Sequence, residues 1–149
     1  MKHVATVLVP APASAVFAVL RDPAAHGRFD GSDMVGAPET PALLSAVGQV
    51  FTMHMTWTDG TTVERYRSDN HVTEYSPDRA IAWATAVHGG SPLGWTWRYE
   101  LEPVDEGTQV QFTYDWTGTS AENIRHFGVP IVGRDQLAES LRRLAAICT

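Results

Sequence analysis

The sequence predicts an α+β domain, with antiparallel strands through the middle of the chain and helices confined to its two ends. Eleven of the fourteen aromatic residues, including all five tryptophans, lie between Phe51 and Trp116, mostly at every second position. That is the period of a half-buried strand. Apolar residues at helical spacing occur only near the N-terminus and after Pro130.

In chain order, HVATVLV predicts a first strand and ASAVFAVLR a short helix. Asp22-Pro23 supplies a cap and a first-turn proline for a second short helix, AAHGRF. A short strand follows near Asp33–Ala37. VFTMHMTW places Phe51, Met53, Met55 and Trp57 on one face and ends at the turn residues Asp59-Gly60. TTVERYRSDNHVTEYSP has two parities, one burying Arg65, Arg67 and Asp69, the other Tyr66, Asn70 and Val72. Because unpaired buried charge is costly, the second is expected, with Glu64 pointing inward near the strand end. After Pro77-Asp78, AIAWATAV carries Ile81, Trp83, Thr85 and Val87 on one face, and GGSPLG is read as a loop. GWTWRYELEP and TQVQFTYDW alternate Trp95, Trp97, Tyr99, Leu101 and Val110, Phe112, Tyr114, Trp116 against polar residues, joined by a PVDEG hairpin turn. SAENIRHFG is expected to form a turn of helix closed by Gly128. A long amphipathic helix near residues 130–147 then buries Leu137, Leu141, Leu144 and Cys148, with Pro130 in its first turn and Arg134, Asp135, Glu139, Arg142 and Arg143 outside.

The 149 residues match one domain, residues 1–149, that buries about two-thirds of its unfolded surface. A hydrophobic content of 44% with 19% charge is that of a folding chain. Net charge −6 opposes nucleic acid, other polyanions and anionic membranes as partners. Cys148 is the single cysteine, so neither an internal disulfide nor a multi-cysteine zinc site can form, and a reducing, cytoplasmic setting is expected. The lysine and apolar stretch at the N-terminus imitate a secretory leader, but Pro10 and Pro12 interrupt the run, which is read as mature protein. No run reaches the 18 or so apolar residues of a spanning helix. His54, His71 and His88 are isolated, with no HxH, HxxxH or HExxH spacing, so no metal is expected. No GxSxG, Walker or GxGxxG motif calls for a nucleotide or other cofactor.

The order of elements, together with VPAPASAVFAVLRDP, VGQVFTMHM, VTEYSPDRAIAW, WRYELEPVDEGTQVQF and the terminal LAESLRRLA, resembles the START/Bet v 1-like (SRPBCC) superfamily. Within it, the chain is most similar to the polyketide cyclase/dehydrase-like group. The resemblance implies a helix-grip fold, in which a curved seven-stranded antiparallel sheet wraps a long C-terminal helix, with two short helices between strands 1 and 2. It also implies a cavity for a hydrophobic small molecule, lipid-like or polyketide-like.

The alternating face then supplies candidate cavity walls: Trp57, Trp83, Trp95, Trp97, Tyr99, Phe112, Tyr114 and Trp116, with Met53 and Met55 as adaptable additions and Phe29 as an apolar plug. Simple core filling is the competing role for each ring. Tyr66, Asn70, Tyr99 and Tyr114 are candidate polar anchors, or else pair among themselves or with backbone. If the cavity is an aromatase/cyclase site instead, Tyr66 and Asn70 would orient the chain and the base would be Glu64, Asp30 or a tyrosinate. His26, Arg28 and Asp30 cluster in HGRFDGSDM as an acid–base or gating group, against an ordinary Asx-type turn at Asp30-Gly31. A protein-interaction module is a third class. The expected assembly is a monomer or homodimer.

Overall fold

The computed structural model describes residues 1–149. Seven strands form one antiparallel sheet: β1 Lys2–Val9, β2 Val35–Pro38, β3 Val50–Thr58, β4 Val63–Ser76, β5 Ala80–Val87, β6 Pro92–Val104 and β7 Gly107–Asp115. Their spatial order is β1-β7-β6-β5-β4-β3-β2, so every neighbouring pair from β2 to β7 is sequential and only β1 pairs at a distance, with β7. Helices α1 Ala13–Leu20 and α2 Pro23–Phe29 separate β1 from β2, and α3 Ala121–Phe127 and α4 Arg134–Cys148 follow β7. The sheet curls into a half-barrel with α4 packed on it, the expected helix-grip architecture.

Register aligns the apolar alternation into rows across the strands. Val72, Trp83, Trp97, Tyr114 and His3 form one row, and Ile81, Tyr99, Phe112 and Ala5 the next. Aromatic rings meet within and between these rows: Tyr99 stacks on Phe112 and Trp97 on Tyr114, both with centroids 4.0 Å apart. On β4 the inward parity is the one that charge cost favours, with Ser68, Asn70 and Val72 buried. Asp69, on the other face, is nevertheless also buried. Its carboxylate accepts from Thr52 Oγ1 (2.7 Å), Gly89 N (2.8 Å) and His88 Nδ1 (2.9 Å), which makes that burial tolerable.

Asp22 caps α2 by accepting from Ala24 N, and Ser120 caps α3 by accepting from Asn123 N. Gly128, at φ 70°, ends α3 in the left-handed conformation. Two expectations on boundaries are corrected. Pro92–Gly94 already belong to β6, so the β5–β6 loop is shorter than GGSPLG. The last helix begins at Arg134, leaving Pro130 outside. There the Ile131 N–H donates to the Tyr114 hydroxyl (3.1 Å), and the Gly133 N–H to Gln136 Oε1 (2.8 Å) caps the true start. Leu137, Leu141 and Leu144 are buried against β1 and α2, while Cys148 is half-buried.

Arg143 joins the two ends of the chain. From α4 it donates to the Asp30 carbonyl (2.7 Å) and Asp33 Oδ1 (2.8 Å), while Ser140 Oγ accepts from Gly31 N (2.7 Å). The loop between α2 and β2 is thereby held against the C-terminal helix.

Candidate functional site

Between the concave face of the sheet and the helices lies a cavity of about 580 Å³. Nineteen of its 29 surrounding residues are hydrophobic, so its walls are largely apolar. From α2 comes Phe29, from β3 Phe51, Met53, Met55 and Trp57, and from β5 Trp83. β6 contributes Trp95, Trp97 and Tyr99, and β7 Phe112. Phe127 of α3, with Ile131 and Val132 beyond it, completes the enclosure. Phe29, Phe51, Met53, Trp83 and Tyr99 are buried, whereas Trp57 and Tyr66 are 40% and 39% exposed. The space therefore runs from a buried inner end to a mouth beside the β3–β4 hairpin.

Two rings expected on the wall stand outside it. Tyr114 is fully buried under the Trp97 ring, with its hydroxyl engaged by the Ile131 N–H. Trp116 packs edge-on against His3 (4.8 Å) beyond the last rung of β7. Both keep the inward parity, but the space they face is filled by their neighbours.

Among the polar candidates, Asn70 lines the cavity and is engaged by protein. Its Oδ1 accepts from Thr85 Oγ1 (3.1 Å), which in turn accepts from Trp97 Nε1 (3.0 Å). Its amide nitrogen lies 3.4 Å from both the Phe51 carbonyl and Ser68 Oγ. The Asp30 carboxylate borders the cavity but accepts from Ser32 N, Ser32 Oγ, Met34 N and Val35 N. It is an Asx-type turn that shapes the α2–β2 connection, as the ordinary interpretation of HGRFDGSDM holds. Glu64 and Tyr66 stand at the mouth with no side-chain hydrogen bond to protein. Burial, followed by the nearby charges of Asp30 and Glu64, raises the Tyr66 pKa above its ordinary 10.0. Arg67, on the outer parity, pairs with Glu39 at 2.7 Å.

His26 is the residue that motif reasoning underweighted. It lies on α2, buried, with its ring stacked on Trp83 (5.1 Å, 17°) and Nε2 2.7 Å from the Leu20 carbonyl. Burial lowers its pKa below 6.5, against the raising effects of that carbonyl and of Asp22 and Asp30. Its surrounding helical AAHGRF pattern was legible; its inward direction follows only from how α2 docks. No cluster of three or more His, Cys, Asp or Glu is placed to hold a metal ion, and no helix is long and apolar enough to cross a membrane.

A half-barrel sheet closed by a long helix over an apolar cavity defines a helix-grip protein of the SRPBCC type. The family model described as polyketide cyclase / dehydrase and lipid transport matches residues 1–149, and the chain belongs to that family. Rv0088 of Mycobacterium tuberculosis is 34% identical over 118 residues, 78% of this chain and 48% of that protein. The chain thus spans about half the length of the curated relatives it matches. Among solved structures, NE0264 of Nitrosomonas europaea superposes with a TM-score of 0.71 at 15% identity, covering 99% of this chain and 93% of that one. Ms6760 of Mycobacterium smegmatis gives 0.69 at 18%, covering 98% and 89%. The Aha1 dimer of Colwellia psychrerythraea gives 0.62 at 19%, covering 99% and 96%.

Proposed function

We propose that the cavity binds a hydrophobic small molecule, lipid-like or polyketide-like, and that the protein acts as its carrier or receptor. The supporting observation is the cavity itself: about 580 Å³ of space walled mainly by aromatic and aliphatic side chains, open at one end. A well-packed domain does not leave such a volume unfilled without a use for it. The family description, which joins polyketide chemistry with lipid transport, accords with this ligand class.

Binding is tested by titrating tryptophan fluorescence with fatty acids, flavonoids and aromatic polyketides, and by native mass spectrometry of protein from its own host. At least one saturable response that weakens in Trp97→Ala is expected. If every compound fails and no adduct co-purifies, the reading is lost.

A cyclase is the second reading, favoured by one observation: the Tyr66 hydroxyl and the Glu64 carboxylate border the mouth without side-chain hydrogen bonds to protein. Engagement of Asn70 and Asp30 by protein weighs against it, because Asn70 is not free to orient a substrate and the Asp30 carboxylate is not free to take a proton. Turnover of a poly-β-keto mimic, lost about 100-fold in Tyr66→Phe at nearly unchanged affinity, would establish the enzyme. A monomer or homodimer remains the proposed assembly, to be measured by light scattering.

A further inference from the structure

Two polar atoms at the buried end of the cavity have no protein partner. The Leu20 carbonyl can only accept, so the proton of the His26 ring sits on Nε2. Nδ1 is then a bare acceptor. The second atom is the hydroxyl of Tyr99, which forms no hydrogen bond although the residue is 2% exposed. The polar side-chain atoms sealed inside the protein without partners are His3 Nδ1, His71 Nε2 and Thr119 Oγ1. His26 Nδ1 and Tyr99 Oη are not sealed in this way, and both residues line the cavity, so both atoms open onto it.

The two residues share neighbours. Phe29 lies 5.5 Å from the His26 ring and 6.2 Å from the Tyr99 ring, and Trp83 lies 5.1 Å and 6.1 Å from them. An acceptor and a hydroxyl therefore stand in one aromatic compartment with no cationic side chain at that end. Such a compartment disfavours a carboxylate, whose charge would meet apolar walls, the Nδ1 lone pair and the nearby Asp30 carboxylate, with the Tyr99 hydroxyl as its single donor there.

We propose that the inner end of this cavity recognises a neutral hydroxylated ring, phenolic or enolic, whose O–H donates to His26 Nδ1 while a carbonyl oxygen of the same ligand accepts from Tyr99 Oη. This rests on the ligand-binding reading above and narrows it from any apolar molecule to one with a donor and an acceptor at its leading end. Burial holds the imidazole neutral, which keeps the Nδ1 lone pair available. The stack on Trp83 and the Leu20 hydrogen bond fix the ring in place, so the acceptor is positioned before the ligand arrives.

The test uses benzophenone, 4-hydroxybenzophenone and 4-methoxybenzophenone, which share rings and carbonyl and differ in the donor, titrated into the full chain at about pH 6.5. The hydroxy compound is expected to bind at least about tenfold more tightly than both others. In His26→Phe, which keeps an aromatic ring against Trp83, that preference should fall to within about threefold. Tyr99→Phe should weaken all three alike. Equal affinities for the hydroxy and methoxy compounds in the wild type overturn the proposal, as does a preference undiminished in a folded His26→Phe. If that variant fails to fold, the wild type labelled with 15N-histidine decides: one Nδ1 resonance must move with the hydroxy compound and stay with the ether, and no movement overturns the proposal. Binding of long-chain acids with none of the three rings overturns this inference while the carrier reading stands. Failure of every ligand overturns both.

Discussion

Asp69 shows how one residue can be buried against its own chemistry. Burial opposes ionisation of its carboxyl, but the Gly89 N–H, His88 and the Thr52 hydroxyl outweigh it and hold the pKa down to about 2 from an ordinary 3.8. A folded value below the unfolded one means the contribution is complete above about pH 4 and lost as pH falls toward 2, about 2 kcal/mol in all. Asp69→Asn should flatten urea stability over that window, and a curve as steep as wild type would show that other carboxylates carry it. His26 acts at higher pH with the same sign. Its lowered pKa means that the unfolded chain takes up a proton first, so stability falls as pH drops below 6.5. His26→Phe should remove that slope in denaturant titrations between about pH 5 and 7. At the mouth, Tyr66→Phe deletes a hydroxyl with no side-chain hydrogen bond, so thermal stability should change by less than about 0.5 kcal/mol.

At the scale of elements, α4 and the loop it holds are the most vulnerable. Leu137, Leu141 and Leu144 are each no more than 1% exposed. Leu141→Ala should cost about 2–5 kcal/mol, and Leu141→Asp should unfold the domain, as circular dichroism melts would show. An unchanged midpoint would mean that the helix is peripheral. Gly31 is a tighter constraint. A Cβ there would collide with the Gln136 carbonyl oxygen and stand 2.8 Å from Ser140 N, both backbone atoms of α4. Gly31→Ala must push the α2–β2 loop off the helix, weakening the Gly31–Ser140 and Arg143–Asp30 hydrogen bonds together. A loss of several degrees in melting temperature is expected, along with a changed fluorescence response to added compounds, because Phe29 and His26 sit on α2, which leads directly into that loop. An unaltered midpoint would show that the loop yields freely.

For the whole molecule, the controlling fact is that a sheet curled around a helix leaves space between them. The central strand β5 is covered on both sides: Trp83 faces the cavity, while Ala80, Ala82 and Ala84 are buried on the outer face. Glu74 and Arg98 both pair in register with Ala82, and their ion pair (2.7 Å) arches over it. The small side chains make room for that bridge. A ligand held in that space would stabilise the fold: at a concentration 100 times the dissociation constant, binding adds about 2.7 kcal/mol. A ligand that quenches tryptophan fluorescence without raising the melting temperature would bind the surface and not the cavity.

The class of fold, the strand parities, the start of α2 and the end of α3 were legible in the sequence, because they depend on local periods and on residues such as Asp22 and Gly128 acting on their own neighbours. Charge cost alone selected the inward face of β4, and the rings of β6 and β7 alternate too regularly to mistake. Occupancy of the interior was decided only in three dimensions. Tyr114 and Tyr99 share a parity and a residue type, yet one hydroxyl is engaged by Ile131 and the other is left open, because a segment returning after α3 covers the end of β7. His26 and Leu44 are buried through the docking of a helix and a loop that carry no periodic signal. Periodicity assigns a residue to a face; only the packing of elements distant in sequence determines whether that face meets protein or an open cavity.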